Sequence, residues 1–312
     1  MTGVQTCALP ILIGFLAVEL DTDDMGKIIS VVNNKRISEI IGYMMAAFLF
    51  TTIISMTAAG GSFLHQQFGI HRAIGGAVIA VLVAVTVLGD FKRISRFFKH
   101  IVPALFAVVM GLCVYVIFSD TIKSGRNREI ENFGMVSKWY VAAPLYVAYN
   151  ILGTIPMGAT TCLNAKSEKN ALAGSAIGGL LLGFMTFTLV AALQRDMEFT
   201  ASMDLPMLGY SARISVPVNA VYGVVLYISI YSAATSVFYG FTTKIPESPR
   251  KKNIVLGAIF IGYLLGLAGF KNIVAYIYPV EGCFGFLVII MLTLHFIKIA
   301  YLKFFSGKTG KR

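Results

Sequence analysis

Apolar residues occur along this chain in long, nearly uninterrupted runs, and short polar segments separate the runs. Most runs approach the roughly 20 residues that an α-helix needs to cross the hydrocarbon core of a bilayer. The shorter run ILIGFLAVEL, which contains Glu19, predicts only the end of a further span. The pattern predicts eight full membrane spans, over residues 41–60, 73–89, 101–118, 139–161, 171–193, 218–241, 254–270 and 273–300.

Composition and charge agree with a membrane protein. Hydrophobic residues make up 57% of the chain and charged residues 13%, whereas soluble domains carry about 25% charged residues. The net charge is +11, but the basic residues lie between apolar runs and not on one solvated face, so no nucleic-acid partner is predicted. Of the 26 Lys and Arg residues, 18 fall in one set of alternate loops and 8 in the other. This asymmetry predicts a cytoplasmic C-terminus.

The first eleven residues, MTGVQTCALPI, are similar to the translated read-through of a common short-read sequencing adapter. They have neither the basic n-region nor the small-residue cleavage site of a signal peptide. We therefore expect residues 1–11 to be an artefact, the natural sequence to start near Leu12, and an upstream portion to be missing. Residues 12–304 are then one transmembrane domain, and residues 305–312 are a basic cytoplasmic tail.

The span over 139–161 contains several polar or helix-breaking residues. Transporters use discontinuous helices near the midplane to expose backbone carbonyls and helix ends to substrates and ions. The composition therefore predicts a broken, substrate-lining helix. The alternative is a proline kink whose freed carbonyl is satisfied by a neighbouring helix. The residues concerned are Tyr149, Asn150, Gly153, Thr154, Pro156 and Gly158.

Two further sets of residues are candidates for ion coupling. Glu281 lies about eight residues inside its span, where a carboxylate usually faces a cavity or titrates; it could accept a proton or meet a cationic substrate. The alternative is that this span starts late and Glu281 lies near the outer interface. Ser232, Thr235 and Ser236 share one helix face and offer hydroxyl oxygens suited to Na⁺. Alternatively, these hydroxyls hydrogen-bond across packed helices.

Other reactive side chains predict no further chemistry. Cys7, Cys113, Cys162 and Cys283 form no CxxC pair, so we interpret them as packing residues. His65 follows a Gly-Gly pair at the outer end of a span, which is more typical of an interfacial residue than of a proton relay. The sequence has no metal-ligand pair, catalytic triad, P-loop or redox motif. Nothing nominates an enzyme, a metal site or an organic cofactor, and the oligomeric state is not predicted.

A resemblance to a known family covers nearly everything after residue 12. The segments that carry it are AAGGSFLHQQFGIHRAIGGAVIAVLVAVTVLGDFKRISRFFKHIVPAL, DLPMLGYSA, VFYGF and GFKNIVAYIYPVEGCFGFL. They resemble the YkvI family of bacterial membrane proteins, which itself resembles the amino acid/polyamine/cation transporter superfamily. That superfamily has a LeuT-type fold, with ten core helices in two inverted repeats.

On that template, this chain is an all-α polytopic inverted-repeat bundle that lacks the first helix. The fragment is the end of helix two, and the eight full spans are helices three to ten. Span 139–161 becomes the sixth helix and span 218–241 the eighth. In sodium-coupled relatives a Thr-Ser pair on the eighth helix, with a carbonyl three residues earlier, holds Na⁺. Thr235, Ser236 and Ser232 match that spacing.

The resemblance implies an ion- or proton-coupled secondary transporter of a small amino-acid-like solute in the bacterial cytoplasmic membrane. Its partners would be the lipid bilayer and the solute, and its coupling ion Na⁺ or H⁺. Because the missing first helix carries half of both sites in the family, we expect no transport by the chain as given. The alternative is a non-transporting membrane receptor or sensor for nutrients on the same fold.

Overall fold

A computed structural model describes residues 2–31, 34–89, 91–119, 134–163, 165 and 168–309. Regular secondary structure in these described ranges is helical throughout. A short 3₁₀ turn, Gln194–Asp196, joins two of the helices. The α-helices are α1 (Thr2–Glu19), α2 (Met25–Ile29), α3 (Lys35–Phe68), α4 (Arg72–Leu88), α5 (Phe91–Phe118), α6 (Trp139–Leu163), α7 (Glu168–Leu193), α8 (Met197–Ser202), α9 (Pro206–Ile214), α10 (Val216–Thr242), α11 (Lys251–Gly266) and α12 (Phe270–Thr309).

The helices confirm an all-α polytopic membrane protein. Within the described residues, four segments are long and apolar enough to cross a membrane: Lys35–Phe68, Lys169–Ser202, Val216–Thr242 and Phe270–Leu302. Two shorter apolar helices cover Arg72–Leu88 and Pro103–Phe118. Each of the eight predicted spans overlaps an α-helix of the structure. In a membrane, a single apolar segment can pair its own backbone N–H and C=O groups only by forming a helix.

The ends of several helices differ from the hydropathy boundaries. α5 begins at Phe91, ten residues before the start of the span predicted over 101–118, and Pro103 therefore lies inside the helix. Lys92, Arg93, Arg96 and Lys99 recur at helical spacing. This basic segment extends the helix, although its charge excludes it from an apolar run.

The prediction of a broken helix over 139–161 is also wrong. α6 is one continuous helix from Trp139 to Leu163. Two of its polar side chains bond to carbonyls of their own helix: the Asn150 amide donates to Tyr146 O (2.7 Å) and the Thr154 hydroxyl donates to Asn150 O (2.9 Å). Helices in membranes tolerate Pro and Gly because such local bonds and neighbouring helices satisfy the backbone.

The chain divides into two compact units, which we describe separately. The first contains Met1–Leu49, Lys138–Gly183 and Tyr278–Arg312. In it, α1 packs along α6. Two bonds fix the chain around α2 to α12: His295 Nδ1 lies 2.8 Å from Ile28 O, and Lys298 Nζ donates to Val31 O (2.8 Å).

The second unit contains Phe50–Ser137 and Phe184–Ile277. Its core includes the fully buried side chains of Tyr210 and Phe238. α3 and α4 approach closely at glycines: a Cβ built on Gly75 would lie 2.6 Å from Gly60 O. Small residues allow such close approach of helices in membranes.

Candidate functional site

Glu281 is held against α6 by two glycines that follow it on α12. A Cβ on Gly282 would lie 2.8 Å from the Leu145 Cβ, and a Cβ on Gly285 would lie 2.5 Å from the Ala148 carbonyl carbon. Both distances are too short for any other side chain, so the two helices touch backbone to backbone at this point. The Glu281 side chain lies at this contact, and only 4% of the residue is exposed.

Aromatic side chains from both helices lie beside this carboxylate. The Tyr149 ring of α6 stacks on the Tyr278 ring of α12, with centroids 4.1 Å apart and planes at 20°. The Tyr146 ring lies 6.2 Å from that of Tyr149. Tyr149 is close enough to Tyr146, Tyr278 and Glu281 for electrostatic interaction. The structure therefore brings together Tyr149 and Glu281, two residues that the sequence nominated separately.

Tyr146 and Tyr278 were missed in the sequence analysis, although a signal for Tyr278 was present. Tyr278 precedes Glu281 by three residues, so both lie on one face of α12. The pair Gly282 and Gly285 continues this face by one turn, and small residues at such spacing mark close helix contacts in membranes. Together these positions predict a packed face, but not the helix that covers it.

The other nominated residues of α6 have different surroundings. Asn150 is exposed, and both Asn150 and Thr154 bond to carbonyls of their own helix. A Cβ on Gly158 would lie 3.7 Å from Ile13 Cγ2, so Gly158 faces α1. Gly153 is half-buried. The N-terminal half of α6 thus contacts α12 through Leu145 and Ala148, and Gly158 in its C-terminal half contacts α1.

The three hydroxyl residues nominated for Na⁺ lie on α10, in the second unit. Thr235 is fully buried and its hydroxyl donates to Tyr231 O (2.8 Å). Ser232 and Ser236 are half-buried. A hydroxyl that donates its proton to its own helix keeps two lone pairs as acceptors. The Thr235 oxygen can therefore still face a cation.

The remaining reactive side chains form no metal centre in the described part of the chain, where no group of three or more His, Cys, Asp or Glu residues could hold a metal ion. Cys113 and Cys162 are buried, as expected of packing residues, but Cys283 is exposed, so that interpretation is wrong for Cys283. The Cys7 side chain lies outside the described residues. His65 is exposed near the end of α3, with Nδ1 3.2 Å from Ile70 O.

Comparison with known proteins connects part of the chain to transporters. Residues 28–124 match the model of the sodium:alanine symporter family. Uncharacterized protein YyaD of Bacillus subtilis strain 168 is 20% identical over 261 residues, which cover 83% of this chain and 75% of that protein. No solved structure matches.

Proposed function

We propose that this protein is a cation-coupled secondary transporter of a small amino-acid-like solute, and that Glu281 takes part in the coupling. The burial of Glu281 beside Tyr149, at the contact between α6 and α12, is the observation that carries the proposal. An ionisable group in an apolar span is costly to keep. A role in binding a proton or a cation explains why a carboxylate is present at such a position.

The position of Glu281 along α12 supports this role. At 1.5 Å per residue, Glu281 lies about 16 Å along the helix from Phe270. The hydrocarbon core of a bilayer is about 30 Å thick, so a helix that enters near Phe270 carries Glu281 to about mid-depth. Substrate and coupling-ion sites of secondary transporters lie at this depth.

The nominated residues then divide between two roles. Glu281 binds the proton or the cationic group of the solute, and Tyr149 with Tyr278 forms the adjoining wall. The solute contacts α6 along Asn150, Gly153, Thr154 and Gly158. If the coupling ion is Na⁺, the oxygens of Ser232, Thr235 and Ser236 coordinate it. The match of residues 28–124 to the sodium:alanine symporter family favours Na⁺ and an amino acid such as alanine.

The proposal also covers the membrane, the orientation and the fold of this transporter. It lies in the bacterial cytoplasmic membrane with a cytoplasmic C-terminus, as the distribution of Lys and Arg favours. Its fold is of the LeuT type, with α3 to α7 and α10 to α12 as helices three to ten and α1 as the end of helix two. Residues 1–11 are adapter-derived, residues 12–304 form the transmembrane domain, and residues 305–312 form a tail.

Flux through proteoliposomes tests the proposal. Alanine uptake is measured under an inward Na⁺ gradient and, separately, an inward proton gradient. The proteins tested are the chain as given and the product of the reading frame recovered upstream of Leu12. We expect gradient-driven uptake by the recovered product. Its Glu281→Gln variant should take up alanine at least about tenfold more slowly, because the substitution removes the charge of the side chain but keeps its shape.

Glu247→Gln is the matched control, because Glu247 is exposed and pairs with Lys251, four residues away. This variant should keep full uptake. Saturable alanine binding without flux by the recovered product would favour the nutrient receptor. Equal uptake by the wild type and Glu281→Gln would remove Glu281 from the coupling step.

A further inference from the structure

A hydrogen bond between two side-chain hydroxyls joins α4 to α10 inside the second unit. Thr86 of α4 is only 2% exposed, and its hydroxyl oxygen is hydrogen-bonded to the phenol oxygen of Tyr231 on α10. The two residues are far apart in sequence, and α10 packs along α4. The bond therefore ties the two helices together at one defined position.

The direction of this hydrogen bond follows from a second contact of Thr86. The Thr86 hydroxyl donates to Leu82 O in the preceding turn of α4 (2.8 Å). A threonine hydroxyl has one proton to donate and two lone pairs that accept, so Thr86 accepts the bond from Tyr231. The Tyr231 phenol is the donor, and the bond holds its ring against α4.

Tyr231 adjoins the hydroxyl residues that are proposed to hold Na⁺. It directly precedes Ser232 in the sequence, and its carbonyl accepts the bond from the fully buried Thr235 hydroxyl (2.8 Å). Residues four apart lie on the same face of a helix, so Tyr231 and Thr235 share one face of α10. A bond that holds the Tyr231 ring against α4 therefore also fixes the rotation and the height of this face.

We propose that Thr86 is a positioning residue of the Na⁺ site, and that it acts through Tyr231 without touching the ion. The inference rests on the proposed function, because it requires that Thr235 and its neighbours coordinate Na⁺. Outer contacts that orient the ligands of a metal ion raise the affinity, since ligands that are already held in place lose less freedom on binding. The ion site then depends on the contact between α4 and α10 and not on α10 alone.

Two measurements test this role in lipid nanodiscs. Equilibrium binding of radioactive Na⁺, titrated against choline at constant ionic strength, gives the dissociation constant. Thermal unfolding in choline without Na⁺ gives the stability of the same protein. Both are measured for the chain as given and for the product of the reading frame recovered upstream of Leu12. A loss of packing lowers only the unfolding temperature, whereas a loss of positioning raises the dissociation constant.

Thr86→Val keeps the shape of the side chain but removes the hydroxyl. It should weaken Na⁺ binding about fivefold, because the loss of one hydrogen bond costs the site its fixed geometry. Thr86→Ser restores the hydroxyl and should bind Na⁺ like the wild type. Tyr231→Phe removes the donor but keeps the carbonyl that Thr235 uses, so it should bind as weakly as Thr86→Val. Because both residues act through one bond, the double variant should bind no more weakly than either single variant.

Thr188→Val is the matched control. Thr188 of α7 is also buried and belongs to the same unit, and its hydroxyl donates to Phe184 O of its own helix (2.8 Å). This variant therefore loses the same kind of intrahelical bond as Thr86→Val. Its dissociation constant for Na⁺ should remain that of the wild type, even where both variants unfold at a lower temperature in choline.

The outcomes separate this inference from the function on which it rests. If the wild-type protein does not bind Na⁺, both the Na⁺ site and the role of Thr86 are overturned. Wild-type binding together with an unchanged dissociation constant in Thr86→Val would overturn the role of Thr86 alone. So would losses of affinity that add up in the double variant. If Thr86→Val does not fold, Tyr231→Phe decides, because it retains the ring and its packing.

Discussion

The Asp204 carboxylate, in the turn between α8 and α9, lies 2.8 Å from the Arg72 guanidinium at the start of α4. The same carboxylate oxygen accepts a hydrogen bond from the Ser62 hydroxyl (2.9 Å). Beside it, the Gln66 side-chain amide both donates to Leu205 O (2.9 Å) and accepts from Leu205 N (3.1 Å). Four bonds therefore fix this turn to α3 and α4.

Asp204→Asn should lower the free energy of unfolding by about 1–2 kcal/mol, because it weakens two bonds to a carboxylate that is only 10% exposed. Arg72 is half exposed, so solvent screens the ion pair. The coupling energy from a double-mutant cycle with Arg72→Gln should be no more than about 1 kcal/mol. Denaturation in mixed micelles measures both quantities.

The control for this cycle is Glu247→Gln, which breaks an exposed pair with Lys251 at i,i+4 spacing. It should cost less than about 0.5 kcal/mol. Equal destabilisation by Asp204→Asn and Glu247→Gln would mean that the turn is held by its apolar contacts and not by Asp204.

Gly285→Ala should destabilise the first unit by about 1–3 kcal/mol, because the added methyl group overpacks the contact with Ala148 of α6. Gly178→Ala is the matched control in the same unit. A Cβ at Gly178 would meet nothing within 4 Å, and Ala favours a helix over Gly by up to about 1 kcal/mol. The free energy of unfolding should therefore rise in Gly178→Ala and fall in Gly285→Ala. The same sign in both variants would contradict the close α6–α12 contact.

The apolar pattern was sufficient to predict the fold class, because run length alone distinguishes membrane spans from core helices. It failed at the start of α5, where basic residues at helical spacing continue a helix that hydropathy ends. It failed again at α6, where Pro and Gly suggested a break. There the side chains of Asn150 and Thr154 bond to their own helix, and such local bonds are not visible in hydropathy.

The candidate site was predictable only in part. Glu281 was conspicuous as a carboxylate within an apolar run, and Tyr149 as a polar residue in α6. Their neighbourhood depends on the packing of two helices far apart in sequence.

The Na⁺ interpretation of α10 leads to a prediction about binding. In nanodiscs, Na⁺ titrated against a choline background should raise the unfolding midpoint of the product of the recovered reading frame. Ser236→Ala and Thr235→Val should each weaken the apparent Na⁺ affinity about tenfold, because each removes a ligand oxygen. Thr235→Ser keeps the oxygen and should stay close to the wild type. If Thr235→Val retains the wild-type affinity, the Thr235 hydroxyl serves only its bond to Tyr231.

The contact of His295 with Ile28 leads to a prediction about local opening. A carbonyl oxygen only accepts, so His295 Nδ1 must carry the proton that bonds to Ile28 O at 2.8 Å. His295→Leu removes this donor from a buried position and should raise amide hydrogen exchange in Met25–Ile29 about tenfold. His295→Asn places an amide donor near the same position, so exchange should remain near the wild-type rate. Equal exchange in the Leu and Asn variants would show that ring packing, and not the hydrogen bond, holds α2 in place.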